Sequence, residues 1–231
     1  MEKQKLRFGA TFREGLVYAG RNFFPLLGCI LLYFLTIWIP YLNIGTMIAM
    51  TLLPVQMSKG ESINPSHIFN PRYRKYMSEY FILVGIMYAA LIASLLFFVI
   101  PGIVMAMAWG LSPYFLIEKQ KSPIEALRAS YRATDGNKWC IFGMFFVSGI
   151  IYSILIIISR VFINSVWYYM VYICLFLLYA LFSFGIYTSI WKIMSNRYFT
   201  EFGVFKSVFP IMERRVLFYS EALILKKNVH L

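Results

Sequence analysis

Long apolar segments alternate with short polar ones along this chain, and the apolar segments come in pairs. The pairs cover about residues 23–57, 80–117 and 139–194, and a short break divides each pair. A helix needs roughly 20 apolar residues to cross a bilayer, with a range of about 17–25. The pattern therefore predicts an all-α membrane protein with six transmembrane helices, arranged as three hairpins.

The three hairpins resemble copies of one unit. Pro40 and Pro101 break the first two hairpins and lie 61 positions apart, and the same offset reaches Phe162 in the third break. Capping-box patterns, which are typical of a helix start, precede the first and third hairpins at Thr11-Phe12-Arg13-Glu14 and Ser122-Pro123-Ile124-Glu125. We therefore predict a repeat of surface helix, rising span, sharp turn and returning span.

Basic residues fall in alternate gaps between the apolar segments, and Arg160 is the single exception. Lys and Arg close to membrane spans stay on the cytoplasmic side. Both chain ends and the interfacial surface helices are therefore predicted to be cytoplasmic, with Trp38, Tyr41 and Trp167 in an outer aromatic belt. The net charge of +12 suits the anionic inner leaflet. We predict no nucleic-acid partner, because the basic residues flank spans rather than lining one face.

Composition also favours a membrane protein. The chain has 60% hydrophobic and only 14% charged residues, whereas a soluble domain has roughly 25% charged residues. The three cysteines, Cys29, Cys140 and Cys174, lie apart within apolar runs, and the two histidines are far apart in the sequence. The sequence therefore predicts no disulfide, no metal site and no cofactor.

Small residues recur at every fourth position on both arms of the second hairpin. One stripe is Gly85, Ala89 and Ala93, and the other is Gly102, Ala106 and Gly110. Small residues at this spacing let two helices approach closely in lipid, where packing drives association. The stripes predict a tight contact between the two arms.

Prolines fall inside the returning arms of the first two hairpins. Interrupted spans at matching places in related halves are a sequence sign of a transport site. The residues that would line such a path are Pro54, Trp109, Gly110, Ser112 and Pro113. The alternative is that these prolines only kink their helices. No Asp, Glu, Lys, Arg or His lies in the middle of any predicted span, although ion-coupled carriers usually need such a residue.

Polar residues with a chemical role are expected on the cytoplasmic side. The segment 122–135 is predicted to be an amphipathic helix in the inner interface, and Arg128, Arg132 and Lys138 are candidates for contact with lipid headgroups. A membrane enzyme would need a polar cluster built from Glu118, Arg132 and Asp135. We do not expect an enzyme, because these residues serve equally well as helix caps and anchors.

Several short motifs resemble the signature of the YciC-like bacterial membrane proteins. They are Ile100-Pro101-Gly102-Ile103, Glu125-Ala126-Leu127 and Gly136-Asn137-Lys138-Trp139, together with Glu118, Ser130 and Arg132. The resemblance covers about residues 60–145. It implies a multi-pass protein of the bacterial inner membrane, related to the membrane domain attached to some glycerophosphodiester phosphodiesterases. It implies no catalytic residue, since the hydrolase in those enzymes is a separate soluble domain.

The sequence as a whole predicts a membrane domain over residues 1–196 and a cytoplasmic amphipathic tail over 197–231. We expect a non-enzymatic scaffold or accessory subunit in envelope or lipid homeostasis, in contact with lipids of the anionic inner leaflet. The alternative is a transporter or flippase for a lipid or another amphiphile. The tail is a candidate docking segment for a partner protein, and formation of a homo-oligomer is left open.

Overall fold

The computed structural model describes residues 5–162, 165–198 and 200, and every regular element within them is helical. In these described ranges nine α-helices follow one another, and two short 3-10 helices, Pro65–Phe69 and Pro71–Tyr76, lie between the third and fourth. The α-helices are α1 (Phe8–Arg21), α2 (Phe23–Thr36), α3 (Pro40–Lys59), α4 (Met77–Phe97), α5 (Val99–Trp109), α6 (Ser112–Glu118), α7 (Pro123–Ala133), α8 (Lys138–Phe162) and α9 (Ser165–Tyr198).

Within the part of the chain that the structure describes, four helical segments are long and apolar enough to cross a membrane. They are Pro71–Phe97, Val99–Glu118, Lys138–Phe162 and Trp167–Tyr198. A fifth qualifies if α1 and α2, which meet at an angle of 74°, are treated as one broken span. The all-helical prediction is thus confirmed for the described residues, together with helices that could span a membrane, whereas six spans, the repeat and the sidedness stay predictions.

The first hairpin differs from the other two. Helix α2 has only 14 residues, which is roughly 21 Å of helix against a hydrocarbon core of roughly 30 Å. At the α2–α3 turn, the Arg74 guanidinium lies 5.2 Å from the centre of the Tyr41 ring, and a Cβ added to Gly45 would lie 3.0 Å from Cγ of Arg74. This contact disagrees with the prediction that Tyr41 and Arg74 lie on opposite sides of a bilayer.

Helix α3 is the central helix of the bundle rather than a lipid-facing span. Half of its 20 residues are buried, and it contacts α2, α6, α9 and both 3-10 helices. Hydrogen bonds join Thr46 to Thr36 on α2 over 3.0 Å and Thr51 to Tyr80 on α4 over 3.3 Å. A helix surrounded by protein can carry polar residues that pair with its neighbours, and α3 therefore does not qualify by apolarity as a span.

Helix α1 packs against α9 where two glycines meet. A Cβ added to Gly185 would overlap the carbonyl oxygen of Gly15, and one added to Gly15 would lie 3.1 Å from the backbone of Ile186. Only glycine permits this approach of two backbones. The capping box predicted at Thr11 is wrong, since α1 already begins at Phe8 and Thr11 is buried within it. The box at Ser122 and Glu125 is confirmed at the start of α7.

Candidate functional site at the basic end of the bundle

The interruption predicted near Pro113 is confirmed, and side chains from α7 fill it. Helix α5 ends at Trp109 and α6 begins at Ser112. The Ser130 hydroxyl donates to the Ala108 carbonyl over 2.6 Å and accepts from the Leu111 amide over 3.2 Å. Ser130 and Leu111 are buried, and an unsatisfied backbone group at such a place would be costly.

The carbonyl that Pro113 leaves without its usual donor also has a partner. Pro113, near the start of α6, has no N–H to donate to the Trp109 carbonyl. The Ser112 hydroxyl donates to this carbonyl instead, over 2.6 Å. Thr134 adds a weaker bond to the Ala108 carbonyl over 3.4 Å. The break is therefore a closed joint between α5, α6 and α7.

Of the residues predicted to line a transport path, Gly110 alone borders the void that the structure describes at this break. The void beside Gly110 has a volume of only ≈ 10 Å³, about the space of one water-sized probe, and Trp109 and Ser112 are absent from its lining. Ser112 is fully buried. Pro54 is buried in α3, which continues through it without a break.

The two small-residue stripes of the second hairpin do not face each other. Gly85, Ala89 and Ala93 are exposed on the outside of α4, and nothing lies within 4 Å of a Cβ added to Gly85. On α5, Gly102 is buried against Leu95 of α4, whereas Ala106 and Gly110 line the small void beside α8 and α9. The four-residue spacing places the members of each stripe on one face of their helix. It does not determine which neighbouring helix that face contacts.

The three candidate headgroup contacts have different environments. Arg128 and Arg132 are exposed on α7. The Lys138 ammonium instead lies 3.7 Å from the centre of the Tyr131 ring and 3.8 Å from a carboxylate oxygen of Asp135, and only 14% of its side chain is exposed. Lys138 thus stabilises the α7–α8 turn rather than reaching out to a headgroup.

The two acids of the hypothetical enzyme cluster pair with different lysines. The Glu118 carboxylate lies 2.7 Å from the Lys59 ammonium, and Asp135 pairs with Lys138. Arg132 is exposed on α7. No group of three potential metal ligands among His, Cys, Asp and Glu occurs in the described ranges.

Polar contacts at the C-terminal end of α9 connect segments that are far apart in the sequence. The Lys121 ammonium donates to the Tyr198 hydroxyl over 2.8 Å, and the Arg197 guanidinium donates to the Asp135 carbonyl over 2.7 Å. Tyr198 also packs edge-on against Phe115 of α6 at a centroid distance of 5.0 Å. Arg197 and Tyr198 are therefore part of the folded bundle, whereas the rest of the predicted tail, apart from Thr200, lies outside the described residues.

Two adjoining cavities open at this end of the bundle, which we call the basic end because Arg72, Lys75 and Lys121 line the cavities. The sequence patterns did not predict these cavities. The first has a volume of ≈ 400 Å³ and the second of ≈ 340 Å³. Both are lined by Lys75, Tyr76 and Gln120; Arg72 and Glu118 belong to the first, and Glu79 and Lys121 to the second. We call the two cavities together the basic groove. The available signal was the run of basic residues in the gaps before α4 and α7, which the sequence analysis used only for sidedness.

Comparison with known proteins identifies no relative of this chain: no family model, curated protein or solved structure matches it.

Proposed function

We propose that this chain is a non-enzymatic integral protein of the bacterial cytoplasmic membrane, acting as a scaffold or accessory subunit in envelope or lipid homeostasis. The observation that carries the proposal is the closed joint at Gly110–Pro113, whose backbone groups are satisfied by Ser112 and Ser130. A carrier that worked through this break would have to open it and expose those groups in hydrocarbon, which is costly. The resemblance to YciC-like proteins fits the proposal and adds no activity to it.

We further propose that both termini are cytoplasmic and that α4, α5–α6, α8 and α9 cross the membrane. The first hairpin then enters from the cytoplasmic face and returns to it, which explains how Arg74 reaches Tyr41. The alternation of basic residues is the same for this arrangement and for six crossings, because either kind of hairpin brings the chain back to its starting side.

Labelling of a Tyr41→Cys variant distinguishes the two arrangements. In a background with the three natural cysteines replaced by Ser, an impermeant maleimide should label Tyr41→Cys only after cells are permeabilised. Labelling in intact cells would support six crossings and contradict the short first hairpin. A cysteine at Lys5 is the matched cytoplasmic control, since both arrangements keep it protected in intact cells.

A reconstitution assay tests the scaffold proposal against the transporter alternative. The purified protein in vesicles should not speed the movement of a fluorescent phospholipid between leaflets beyond the rate in empty vesicles. Faster movement that is lost in a Ser112→Leu variant would overturn the proposal. The alternative is favoured by an apolar groove of ≈ 170 Å³ between α8 and α9, lined by residues such as Tyr152, Leu155 and Leu178, which could hold an acyl chain.

A further inference from the structure

We propose that the basic groove is a binding site for the phosphate of an anionic phospholipid, with Arg72 and Lys75 holding the phosphate oxygens. The inference rests on the proposed placement of this end of the bundle at the inner leaflet. The groove, its ligand class and its two cations are additional to the proposed function. The exposed arginines of α7 are not part of this site.

The first cavity carries positive charge that its own acid does not neutralise. Glu118 is engaged by Lys59 at 2.7 Å and by Lys119 at 3.9 Å. Lys75 makes no ion pair or hydrogen bond with any side chain that the structure describes, and the Arg72 guanidinium lies 5.3 Å from the centre of the Tyr73 ring. Two cations therefore face a cavity whose carboxylate is already paired, which favours an anionic ligand. Phosphate is bound well by such Arg and Lys groups.

The shape of the groove suits an amphiphile better than a free anion. Its volumes fall in the range of about 300–1,000 Å³ that is usual for ligand pockets. Besides the cations, apolar and aromatic side chains line it, notably Leu52, Tyr76 and Ile117 in the first cavity and Leu116 in the second. Leu52 belongs to α3, Tyr76 to the second 3-10 helix, and Leu116 and Ile117 to α6, so these elements provide apolar surface for the acyl chain of a lipid whose phosphate binds the cations.

The second cavity offers groups for the remainder of a headgroup. Glu79, Gln120 and Ser122 line it, and their oxygens accept hydrogen bonds from hydroxyl groups such as those of a glycerol headgroup. Gln120 is also the one non-glycine residue in the described ranges with a positive φ, at 48°. Gln120 directly follows the C-cap of α6, where a left-handed residue commonly ends a helix, and this turn places it at the wall shared by both cavities.

Lipid binding to the purified full-length protein tests the proposal. We would compare dioleoyl phosphatidylglycerol, dioleoyl phosphatidylcholine and inorganic phosphate by native mass spectrometry in detergent, using wild type and an Arg72→Ala/Lys75→Ala variant. Wild type should prefer phosphatidylglycerol over phosphatidylcholine, and the variant should bind phosphatidylglycerol about tenfold more weakly, as expected for two lost charge-assisted contacts. Binding of inorganic phosphate with equal affinity would assign the site to free phosphate and overturn the lipid assignment.

A matched control removes the same charge elsewhere. Arg7→Ala/Arg13→Ala takes away two exposed arginines of the N-terminal segment and should leave phosphatidylglycerol binding within about twofold of wild type, because neither residue lines the groove. Equal losses of phosphatidylglycerol binding in both double variants would show that the effect depends on net charge alone. That result would refute the groove as a lipid-binding site. Gln120→Gly gives an independent test: it relieves the positive φ, so folding is retained, and binding should fall several-fold.

Failure of this proposal and failure of the proposed function give different results. Absence of any headgroup preference would remove the groove as a lipid site and leave the scaffold proposal standing. Lipid movement in the vesicle assay would overturn the scaffold proposal whether or not the groove binds phosphatidylglycerol.

Discussion

The basic end of the bundle and the opposite halves of its long helices are built differently, and α9 contains both kinds of structure. Toward its C-terminal end, Leu181, Ile186, Ile190 and Met194 are almost completely buried. In its first half, apolar residues such as Trp167, at 70% exposure, face outward. Helix α4 shows the same division, with Tyr80 and Leu83 as its only buried residues in the described structure.

The difference shows which surroundings each region needs. At the basic end, the backbones of α1 and α9 approach closely at two glycines, and serine hydroxyl groups satisfy the backbone groups of a helix break. Aromatic rings of α6 and α9 also pack edge-on against each other. In the opposite halves, exposed apolar side chains need only lipid around them, because hydrocarbon solvates them as well as a protein core does. Substitutions should therefore destabilise the protein strongly at the basic end and weakly in the opposite halves.

The largest contrast is expected between two phenylalanines. Phe115 is fully buried and packs edge-on against Trp191 at a centroid distance of 5.0 Å, whereas Phe97 is 81% exposed. Phe115→Ala should lower the free energy of unfolding by about 3–5 kcal/mol through the cavity it leaves, and Phe97→Ala should change it by less than about 1 kcal/mol. Melting temperatures in detergent measure both, and equal shifts would contradict the division.

Two glycines should differ almost as much. Gly185→Leu forces a side chain into the backbone of Gly15 and should cost about 3 kcal/mol or more, the upper range for overpacking. Gly85→Leu adds a side chain where nothing lies within 4 Å and should be nearly neutral. A lower melting temperature for Gly85→Leu than for Gly185→Leu would contradict this expectation. It would support the tight contact between α4 and α5 that the stripes predicted.

A smaller effect is expected at the helix break. Ser130→Ala removes the partner of the Leu111 amide and the Ala108 carbonyl, and it should cost about 1–3 kcal/mol for unsatisfied buried groups. Ser153→Ala is the control, since that exposed hydroxyl bonds only to the carbonyl of Gly149 in its own helix. A loss no greater than in the control would show that the joint at Gly110–Pro113 does not depend on Ser130.

The smallest effect is expected at the ion pair of Lys59 and Glu118. The Lys59 side chain is 44% exposed, and water screens such pairs so that they contribute about 0–1 kcal/mol. Lys59→Ala should therefore leave the melting temperature nearly unchanged. A large drop would mean that Glu118 is held in surroundings more apolar than its exposure indicates.

Much of this structure could be predicted from local sequence. Apolar length predicted the second and third hairpins, Pro113 predicted the break, and the capping box predicted the start of α7. These signals depend on neighbours in the chain. They indicate the secondary structure and the apolar length of a segment but not which other segments it contacts.

The remaining features depend on contacts between distant residues. Gly15 and Gly185 belong to no repeated stripe, so neither one indicated the other, while the regular stripe at Gly85 faces outward. Ser130 gains its role only because α7 folds over the end of α5. The contact between Tyr41 and Arg74 escaped prediction because basic residues indicate the side to which a hairpin returns and not how far it enters the membrane.

The central claim is that the tightly packed basic end of the bundle lies in the cytoplasm and that the opposite ends of the helices face out of the cell. Labelling of Lys75→Cys and Phe162→Cys with an impermeant maleimide, in a background with the natural cysteines replaced by Ser, tests it most directly. We predict that intact cells label Phe162→Cys, whose parent side chain is 82% exposed at the end of α8, and that Lys75→Cys reacts only after permeabilisation. Reaction of Lys75→Cys in intact cells, with Phe162→Cys protected, would contradict the account.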